Sequence, residues 1–333
     1  MRINRGSGRS RMPRWRAGME EHNSDTKQKL KGGARYKYLL IRAIYKPFSI
    51  IVGILPERAN YGLFVWLALL GYKHFPKFRQ LARRQLETAF GGEKSPEEIE
   101  AILKQVYVNQ GKNLAEFMMI PHKNAAWVDR HIILNDPHDV LRAEPAKGKG
   151  MVAVGAHIGN IELVCAWLGM KKIPMVTVIK AQRDSAVMDI IMETRNKWGH
   201  EMIFRARGVR RECERQLGMN KIIGLVADQN AASNGVFVDY FGKKAATVTG
   251  PADIAMRAGL PVVPGFLTTR NPDNTLTLHM LAPIPMRDTG DRDADLAHNV
   301  QLYTSAIEEF VRKYPEEYLW WHQRWKTRPP EVE

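Results

Sequence analysis

The sequence predicts an α/β fold in which a mixed, mostly parallel sheet is flanked by helices. From residue 150 onward, short apolar runs rich in β-branched residues alternate with stretches of helical periodicity. Such alternation is typical of parallel strands joined by helices that cover the sheet. The chain has 333 residues, of which 44% are hydrophobic, so it can fill one large core.

The pattern assigns each run in order along the chain. The predicted strands are 151–156, 173–179, 201–204, 222–227, 236–240, 262–268 and 275–281. The predicted helices between and after them are 160–170, 184–198, 206–219, 250–259 and 293–314. Upstream, residues 77–90 form a basic amphipathic pattern. A further helix is expected after Ser95, where Pro96 and Glu98 complete a capping box with proline at the first helical position.

Two uncharged apolar pieces, Pro47–Pro56 and Ala59–Tyr72, precede these elements within residues 37–75. Each is shorter than the roughly 20 apolar residues that a membrane-spanning helix needs. Broken by Pro56–Glu57–Arg58, they fit either a helical hairpin lying in one membrane leaflet or buried core helices. Because charges and aromatic residues flank them, the sequence favours an N-terminal helical membrane-associating segment.

The positive charge is concentrated at the start of the chain. The net charge is +15, and the first 50 residues hold 13 Lys and Arg against three acidic residues, a net of +10. A basic arm of this kind suits nucleic acid or an anionic membrane. No zinc-finger or RNA-binding aromatic motif accompanies it, which favours the membrane over nucleic acid. A disordered or wrongly assigned start, with Met12 or Met19 as the true one, is a third interpretation.

These shifts in composition suggest three segments. A basic, disordered arm covers 1–36, apolar membrane-associating helices cover 37–75, and an α/β domain covers 76–330. No apolar signal-peptide region follows the early arginines. The two cysteines, Cys165 and Cys213, have no metal or disulfide spacing and indicate a reducing compartment.

The stretch MVAVGAHIGNIE, residues 151–162, carries the first chemical signal. An apolar strand stops just before His157, and Glu162 follows after four intervening residues, on the first turn of the next helix. Open α/β sheets hold their sites at this edge, and a carboxylate there would orient the imidazole and stabilise its charged form. The alternative is a packed histidine at a strand–helix junction beside a solvated glutamate.

Further polar groups are expected near the same edge. Asp228 ends the apolar run KIIGLVA as His157 ends its own, although an ordinary turn aspartate fits equally well. The arginines of RARGVRRECERQ, residues 205–216, suit either phosphate recognition or, slightly better, a solvated helix. WWHQRWK, residues 320–326, interleaves aromatic and basic residues, which suits a lipid headgroup layer or the closure of the core.

Most of the chain, from Tyr38 to Pro330, resembles a known family. The blocks that carry the resemblance are GAHIGNIE at 155–162, ETRNKWG at 193–199, VADQNAASNGVFVDYFGKKAATVTGPADIAMRAGLPVVP at 226–264 and EEYLWWHQRWKTRPP at 316–330. They are similar to the late acyltransferases of lipid A biosynthesis, within the glycerolipid and lysophospholipid acyltransferase superfamily. The sequence departs from that family at Ile161, where an aromatic residue is usual, and at Gln85, where Asn is usual.

The resemblance implies a glycerolipid acyltransferase-like fold and an O-acyltransferase on the cytoplasmic face of a bacterial inner membrane. The donor would be acyl-acyl carrier protein, a thioester, and the acceptor a hydroxyl of a phosphorylated glycolipid such as a lipid A precursor. His157 would be the general base with Glu162 as its partner, and Arg195 would contact a substrate phosphate. Asp228, Asn160 and Gln229 are further expected substrate-binding residues.

Neither a metal nor an organic cofactor is implied, and the chain has no G-x-S-x-G, P-loop, H-E-x-x-H or G-x-G-x-x-G motif. Two alternatives stay open. One is an acyltransferase for another polar lipid, such as a phosphatidylinositol mannoside or a lysophospholipid. The other is a basic lipid-binding protein in which the His–Glu pair is structural and no reaction occurs.

Overall fold

The computed structural model of the chain describes residues 32–181, 184–232 and 235–330. Most of the predicted basic arm, 1–36, therefore lies outside the described residues. The elements before the sheet are α1 (Gly33–Ile54), α2 (Glu57–His74), α3 (Pro76–Phe90), α4 (Pro96–Met119), a 3-10 turn (Ile120–His122) and α5 (Ala125–His131).

The remaining elements alternate between strand and helix. They are β1 (Ile132–Asn135), α6 (Val140–Ala146), β2 (Met151–Gly155), α7 (Ile161–Met170), β3 (Met175–Ile179), α8 (Ser185–Lys197), β4 (Glu201–Phe204), α9 (Val209–Leu217), β5 (Ile222–Val226), β6 (Val236–Tyr240), β7 (Lys243–Thr247), α10 (Gly250–Ala258), β8 (Val262–Arg270), β9 (Leu276–Met280) and α11 (Arg292–Lys313), followed by a 3-10 turn (Pro315–Glu317).

Seven strands form one sheet in the order β1-β9-β8-β2-β5-β3-β4. All neighbours pair in parallel except β8 and β9, which pair antiparallel. The predicted mixed, mostly parallel sheet with flanking helices is thus confirmed. Strands β2 and β5 lie side by side in the centre, with Val154 opposite Leu225, so the loops that follow them open at the same edge.

The core lies on both faces of this sheet because successive side chains of a strand point to opposite sides. In β2, Val152 and Val154 join a cluster with α3, α4, α10 and α11, whereas Met151 and Ala153 join a cluster with α2, α5 and α7. All four side chains are buried. A strand buried on both faces explains why this run is continuously apolar rather than alternating.

The other two strands, β6 and β7, form a separate antiparallel hairpin. Phe241 and Gly242 make its two-residue turn with φ of 53° and 68°, values that a tight hairpin requires at both positions. The sequence predicts β6, but β7 and β1 are missing from the expected strands. Their sequences, KKAAT and IILN, are short, and three of the four residues of β1 are exposed.

The helical start of the chain agrees in part with expectation. The break at Pro56 is present, and the capping box is formed, with the Glu98 N–H donating to Ser95 Oγ over 3.2 Å and the Ser95 N–H to Glu98 Oε2 over 2.7 Å. The piece Pro47–Pro56, however, is not a helix of its own. Residues 47–54 of this piece are the C-terminal part of α1, which begins at Gly33 and continues through Pro47 to Ile54.

Helix α1 presents an unusually apolar surface. Of the 17 large hydrophobic residues that are exposed in the described chain, seven lie on α1 and four more lie between Trp66 and Phe78. On its other side, α1 is attached to α8 by polar contacts: Tyr38 donates to Asp189 over 2.7 Å, and Arg42 holds Glu193 through two hydrogen bonds. Of the helices in the described residues, none is both long and apolar enough to cross a membrane.

Candidate active site

His157 lies in the loop between β2 and α7, at the carboxyl edge of the sheet. Its side chain is 30% exposed. The loop can turn here because Gly159 adopts a φ of 65°, and a Cβ at that position would collide with Thr268. Strand-end placement of this histidine is what the apolar run before it predicts.

The carboxylate that orients His157 belongs to Asp228, which follows β5. Asp228 Oδ1 lies 2.8 Å from His157 Nδ1, and Oδ2 accepts the backbone N–H of His157 over 3.1 Å. The Asp228 side chain is only 3% exposed. With Nδ1 donating its proton to Asp228, the lone pair of the neutral ring is at Nε2, which has no hydrogen-bond partner within the described residues. That nitrogen can accept a proton.

The pKa values of the pair follow from this contact. Burial favours neutral imidazole and is the largest influence on His157, but the charge and the hydrogen bond of Asp228 together outweigh it and raise the pKa of His157. Burial also works against the ionised form of Asp228. The charge and hydrogen bonds of His157 again prevail, so the pKa of Asp228 is lowered. The pair is thus stabilised with the acid ionised.

Within the described residues Glu162 forms no hydrogen bond or ion pair with His157, so the pairing expected from the sequence is corrected. Its two oxygens accept from Arg195 on α8, with Nε–Oε2 at 2.9 Å and Nη2–Oε1 at 2.7 Å. The side chains of Arg195 and Glu162 are 9% and 20% exposed. Asp228, expected among the substrate-binding residues, is hydrogen-bonded to His157.

Asn160 and Gln229 occupy different environments. Asn160 is buried and caps α7: its Oδ1 accepts the Leu163 N–H over 3.1 Å, and its Nδ2 donates to Glu116 over 2.6 Å. Its polar atoms are therefore engaged by hydrogen bonds within the fold. Gln229 is partly exposed beside Asp228 and has no hydrogen bond in the described residues, so it stays a candidate for substrate contact.

A second layer of residues holds the His157 loop in place. The Leu319 N–H donates to the His157 carbonyl over 3.0 Å, and the Gly159 N–H donates to the Glu317 carbonyl over 2.9 Å. Between them, Ile158 forms an antiparallel β-bridge with Tyr318. The block from Glu316 is one of those that carry the family resemblance, but its sequence does not show which part of the chain it contacts. Nothing in its composition predicts that the C-terminal segment clamps a loop in the middle of the chain.

His322 is a second imidazole near the pair. It accepts the backbone N–H of Asn230 at Nε2 over 2.8 Å, which leaves its proton on Nδ1. Burial lowers the pKa of His322, and the positive charges of His157 and Arg324 act in the same direction against the pull of Asp228. His322 is a neutral hydrogen-bond donor rather than a second base.

Of the other basic and aromatic residues singled out in the sequence, some are exposed and some are buried. The arginines of the 205–215 run are exposed, and Arg215 is paired with Glu212, as expected of a solvated helix. In WWHQRWK, Trp320 and Arg324 are almost completely buried, which agrees with the core interpretation. The half-buried Trp325 packs against the core beside Tyr240, and Lys326 of the same segment is exposed.

The strand-end histidine and its buried carboxylate lie within a sequence that matches a known family over most of its length. The model of the bacterial lipid A biosynthesis acyltransferase family matches residues 31–327. The chain belongs to this family. It is accordingly an acyltransferase, and the interpretation as a lipid-binding protein without a reaction is set aside.

Individual relatives are similar at modest identity. The chain is 27% identical over 291 residues to the lipid A biosynthesis lauroyltransferase of Escherichia coli, covering 84% of this chain and 89% of that enzyme. It is 23% identical to the lipid A biosynthesis palmitoleoyltransferase of the same organism, over 75% and 79% of the two chains. A phosphatidylinositol mannoside acyltransferase of Mycobacterium tuberculosis is 29% identical over 130 residues, 38% of this chain and 41% of that enzyme.

Proposed function

We propose that the acyltransferase moves a fatty acyl chain from acyl-acyl carrier protein to a hydroxyl of a lipid A precursor or a related phosphorylated glycolipid. The observation that carries the proposal is the His157–Asp228 pair, which leaves a basic, partly exposed nitrogen at the carboxyl edge of the sheet. Relatives named for lauroyl and palmitoleoyl transfer in lipid A biosynthesis support a fatty acyl group as the transferred group and lipid A as the acceptor class.

The reaction needs one proton acceptor and one thioester. Nε2 of His157 removes the proton of the acceptor hydroxyl, and the hydroxyl oxygen attacks the thioester carbonyl. The tetrahedral intermediate collapses to the ester, the carbon–sulfur bond breaks, and the departing thiolate takes the proton back from the imidazolium. Asp228 fixes the ring and stabilises its positive charge during the step, a role that a buried carboxylate performs for histidine bases.

For Glu162 and Arg195 we propose positioning roles. Arg195 is buried, and both nitrogens on one edge of its guanidinium are held by Glu162, so the group is poorly placed for an acceptor phosphate. The ion pair instead joins the first turn of α7 to α8, next to the His157 loop. Gln229 is the remaining predicted residue that we assign to substrate contact.

A panel of acceptors tests the proposed function. Purified protein, an acyl-carrier thioester and either a lipid A precursor, a phosphatidylinositol mannoside or a lysophospholipid are incubated, and the products are identified by mass spectrometry. Transfer to the lipid A precursor supports the proposal. Transfer only to the mannoside would favour the second acceptor, for which the mycobacterial relatives provide a specific reason. The lack of transfer to any of them would overturn it.

We further propose that residues 38–75 hold the enzyme on the cytoplasmic face of a bacterial inner membrane. The exposed apolar side chains of α1, among them Leu40, Ile44, Ile51 and Ile54, supply the surface. Burial of one such side chain contributes about 1.5–3 kcal/mol. Ile51→Ser/Ile54→Ser is therefore expected to reduce co-flotation with anionic vesicles at least tenfold, whereas Ile133→Ser, an exposed residue of β1, leaves it unchanged. Equal flotation of all three proteins would contradict this attachment.

A further inference from the structure

A recess of about 820 Å³ opens between α3, the turn of the β6–β7 hairpin and the C-terminal segment. Its lining includes five cationic side chains and no acidic one, and we call it the basic recess. The residues that define it here are Arg84, Gln85, Lys243, Lys244, Lys326 and Arg328. These residues come from three separate parts of the sequence, so no continuous run of charge predicts this surface.

Most of this charge is not neutralised by the protein. Lys244 pairs with Asp239 over 3.0 Å, but Arg84, Lys243, Lys326 and Arg328 form no ion pair within the described residues. All five side chains are exposed. Like charges placed together repel one another, so such a cluster favours binding of an anionic partner that neutralises it.

The floor of the basic recess is firmly built. Arg324 is buried beneath it, donates to the Ala246 carbonyl over 2.8 Å and contacts Thr247. Gln85, one of the departures from the family pattern, accepts the Arg324 backbone N–H over 2.9 Å. The ring of Trp325 lies 5.7 Å from that of Tyr240 and donates to the Tyr240 carbonyl. The cations are thus displayed on a fixed surface.

The same C-terminal segment also forms a wall of the catalytic edge. His322 accepts the Asn230 N–H, and Thr327 Oγ1 accepts from Asn230 Nδ2 over 3.0 Å. Asn230 is two residues from Asp228, the partner of the base. Between these two anchor points, Gln323, Trp325 and Lys326 line the recess. A molecule bound there is therefore next to the loop that holds the catalytic pair.

We propose that the basic recess is the docking surface for the acidic carrier protein that delivers the acyl thioester. The inference rests on the proposed function for the identity of the donor. Docking here would place the start of a flexible acyl-bearing arm beside the 322–327 segment, from which the thioester reaches His157. A carrier protein fits better than a bilayer because none of the exposed large hydrophobic residues of the described chain lies in the recess.

Charge reversal tests this surface. In Lys243→Glu/Lys326→Glu two exposed cations of the recess become anions. The control, Lys149→Glu/Lys172→Glu, makes the same change in charge at exposed residues just before β2 and β3, at the opposite edge of the sheet. Each protein is assayed with the acyl-carrier thioester and with the same acyl chain on N-acetylcysteamine, a small uncharged thioester, and carrier binding is measured separately by fluorescence anisotropy.

The recess variant is expected to bind the carrier about tenfold more weakly and to raise KM for the carrier thioester by a similar factor at low salt. Its loss with the small thioester is expected to be much less, and the control variant behaves like the unmodified protein. Added salt should weaken carrier binding of the unmodified protein more than that of the variant.

Other outcomes separate the two proposals. Equal carrier binding by the recess variant and the control would overturn the docking surface, even if acyl transfer is observed. A rise in KM for the glycolipid acceptor in place of the carrier would overturn it as well, since it would assign the recess to the acceptor phosphate. If no donor supports transfer, the proposed function fails, and the anisotropy measurement still decides whether the carrier binds in the recess.

Discussion

Two charged pairs lie at the carboxyl edge of the sheet, and they differ in what they leave available. In the first, His157 and Asp228, the acid is 3% exposed and the base is 30% exposed, with Nε2 uncommitted in the described structure. In the second, Glu162 and Arg195, both carboxylate oxygens are occupied by one guanidinium. The first pair, which we call the open pair, has a nitrogen that can exchange a proton with a ligand. In the second, which we call the closed pair, the two side chains bind each other.

The difference shows that a spacing of five residues does not by itself pair the Glu162 carboxylate with the His157 imidazole. Glu162, on the first turn of α7, binds Arg195 of α8. Strand β5 pairs with β2, and Asp228, which follows β5, therefore lies beside the imidazole of His157. The carboxylate nearest in sequence, Glu162, joins α7 to α8 through Arg195, and the carboxylate 71 residues away, Asp228, holds the imidazole.

The largest effect is expected at the open pair. His157→Ala removes the proposed proton acceptor and should lower the rate of acyl transfer about 10²–10⁴-fold. The melting temperature should fall by a few degrees, because the variant leaves buried Asp228 without its imidazole partner, but the protein should still fold. Steady-state kinetics and thermal unfolding measure the two quantities. The control is His298→Ala, an exposed histidine of α11. Transfer at the normal rate by folded His157→Ala protein would remove His157 from the mechanism.

The closed pair should respond mainly in stability. Glu162→Gln leaves the Arg195 charge buried without its partner, a change that costs about 3 kcal/mol of unfolding free energy. Denaturant unfolding gives that value. Since Glu162 forms no hydrogen bond or ion pair with His157 in the described structure, the midpoint of the acid limb of the pH–rate profile should stay where it is. A displaced midpoint would show that both pairs titrate as one unit, which would contradict the separate roles given to them here.

Asp228→Asn should separate the pairs by pH. His157 acts as a base only when neutral, so transfer falls as the pH drops through its pKa. Asp228 holds that pKa above its ordinary value, and loss of the charge therefore moves the acid limb to lower pH. The rate above the limb should fall about 10²-fold, because the ring loses its orientation. An unchanged acid limb in the pH–rate profile would contradict the assignment of Asp228 to the base.

The smallest effect is expected when the closed pair is removed as a whole. Glu162→Gln/Arg195→Met leaves no uncompensated charge, and replacement of a buried ion pair by neutral groups is often close to neutral in stability. The double variant should therefore lose about 1 kcal/mol or less, well below the Glu162→Gln value, in the same unfolding measurement. A double variant as unstable as the sum of its single variants would mean that the two residues do not act as a pair.

The sequence by itself determines the fold class and the location of His157, the proposed base. Runs such as Met151–Gly155 are apolar on both sides because both faces of the strand are covered, so the central parallel strands are readable without a structure. The end of that run fixes His157 at the sheet edge. The capping box at Ser95 is likewise local, since its hydrogen bonds join residues three apart.

Only the tertiary structure decided which groups meet. Two carboxylates, Glu162 and Asp228, were equally available to the imidazole by residue type, and the choice depends on the pairing of β2 with β5 and on the direction of α7 toward α8. The clamp at Tyr318 and the basic recess depend on chain segments far apart in sequence. Local patterns specify where a strand or helix ends, but long-range packing specifies what stands opposite that end.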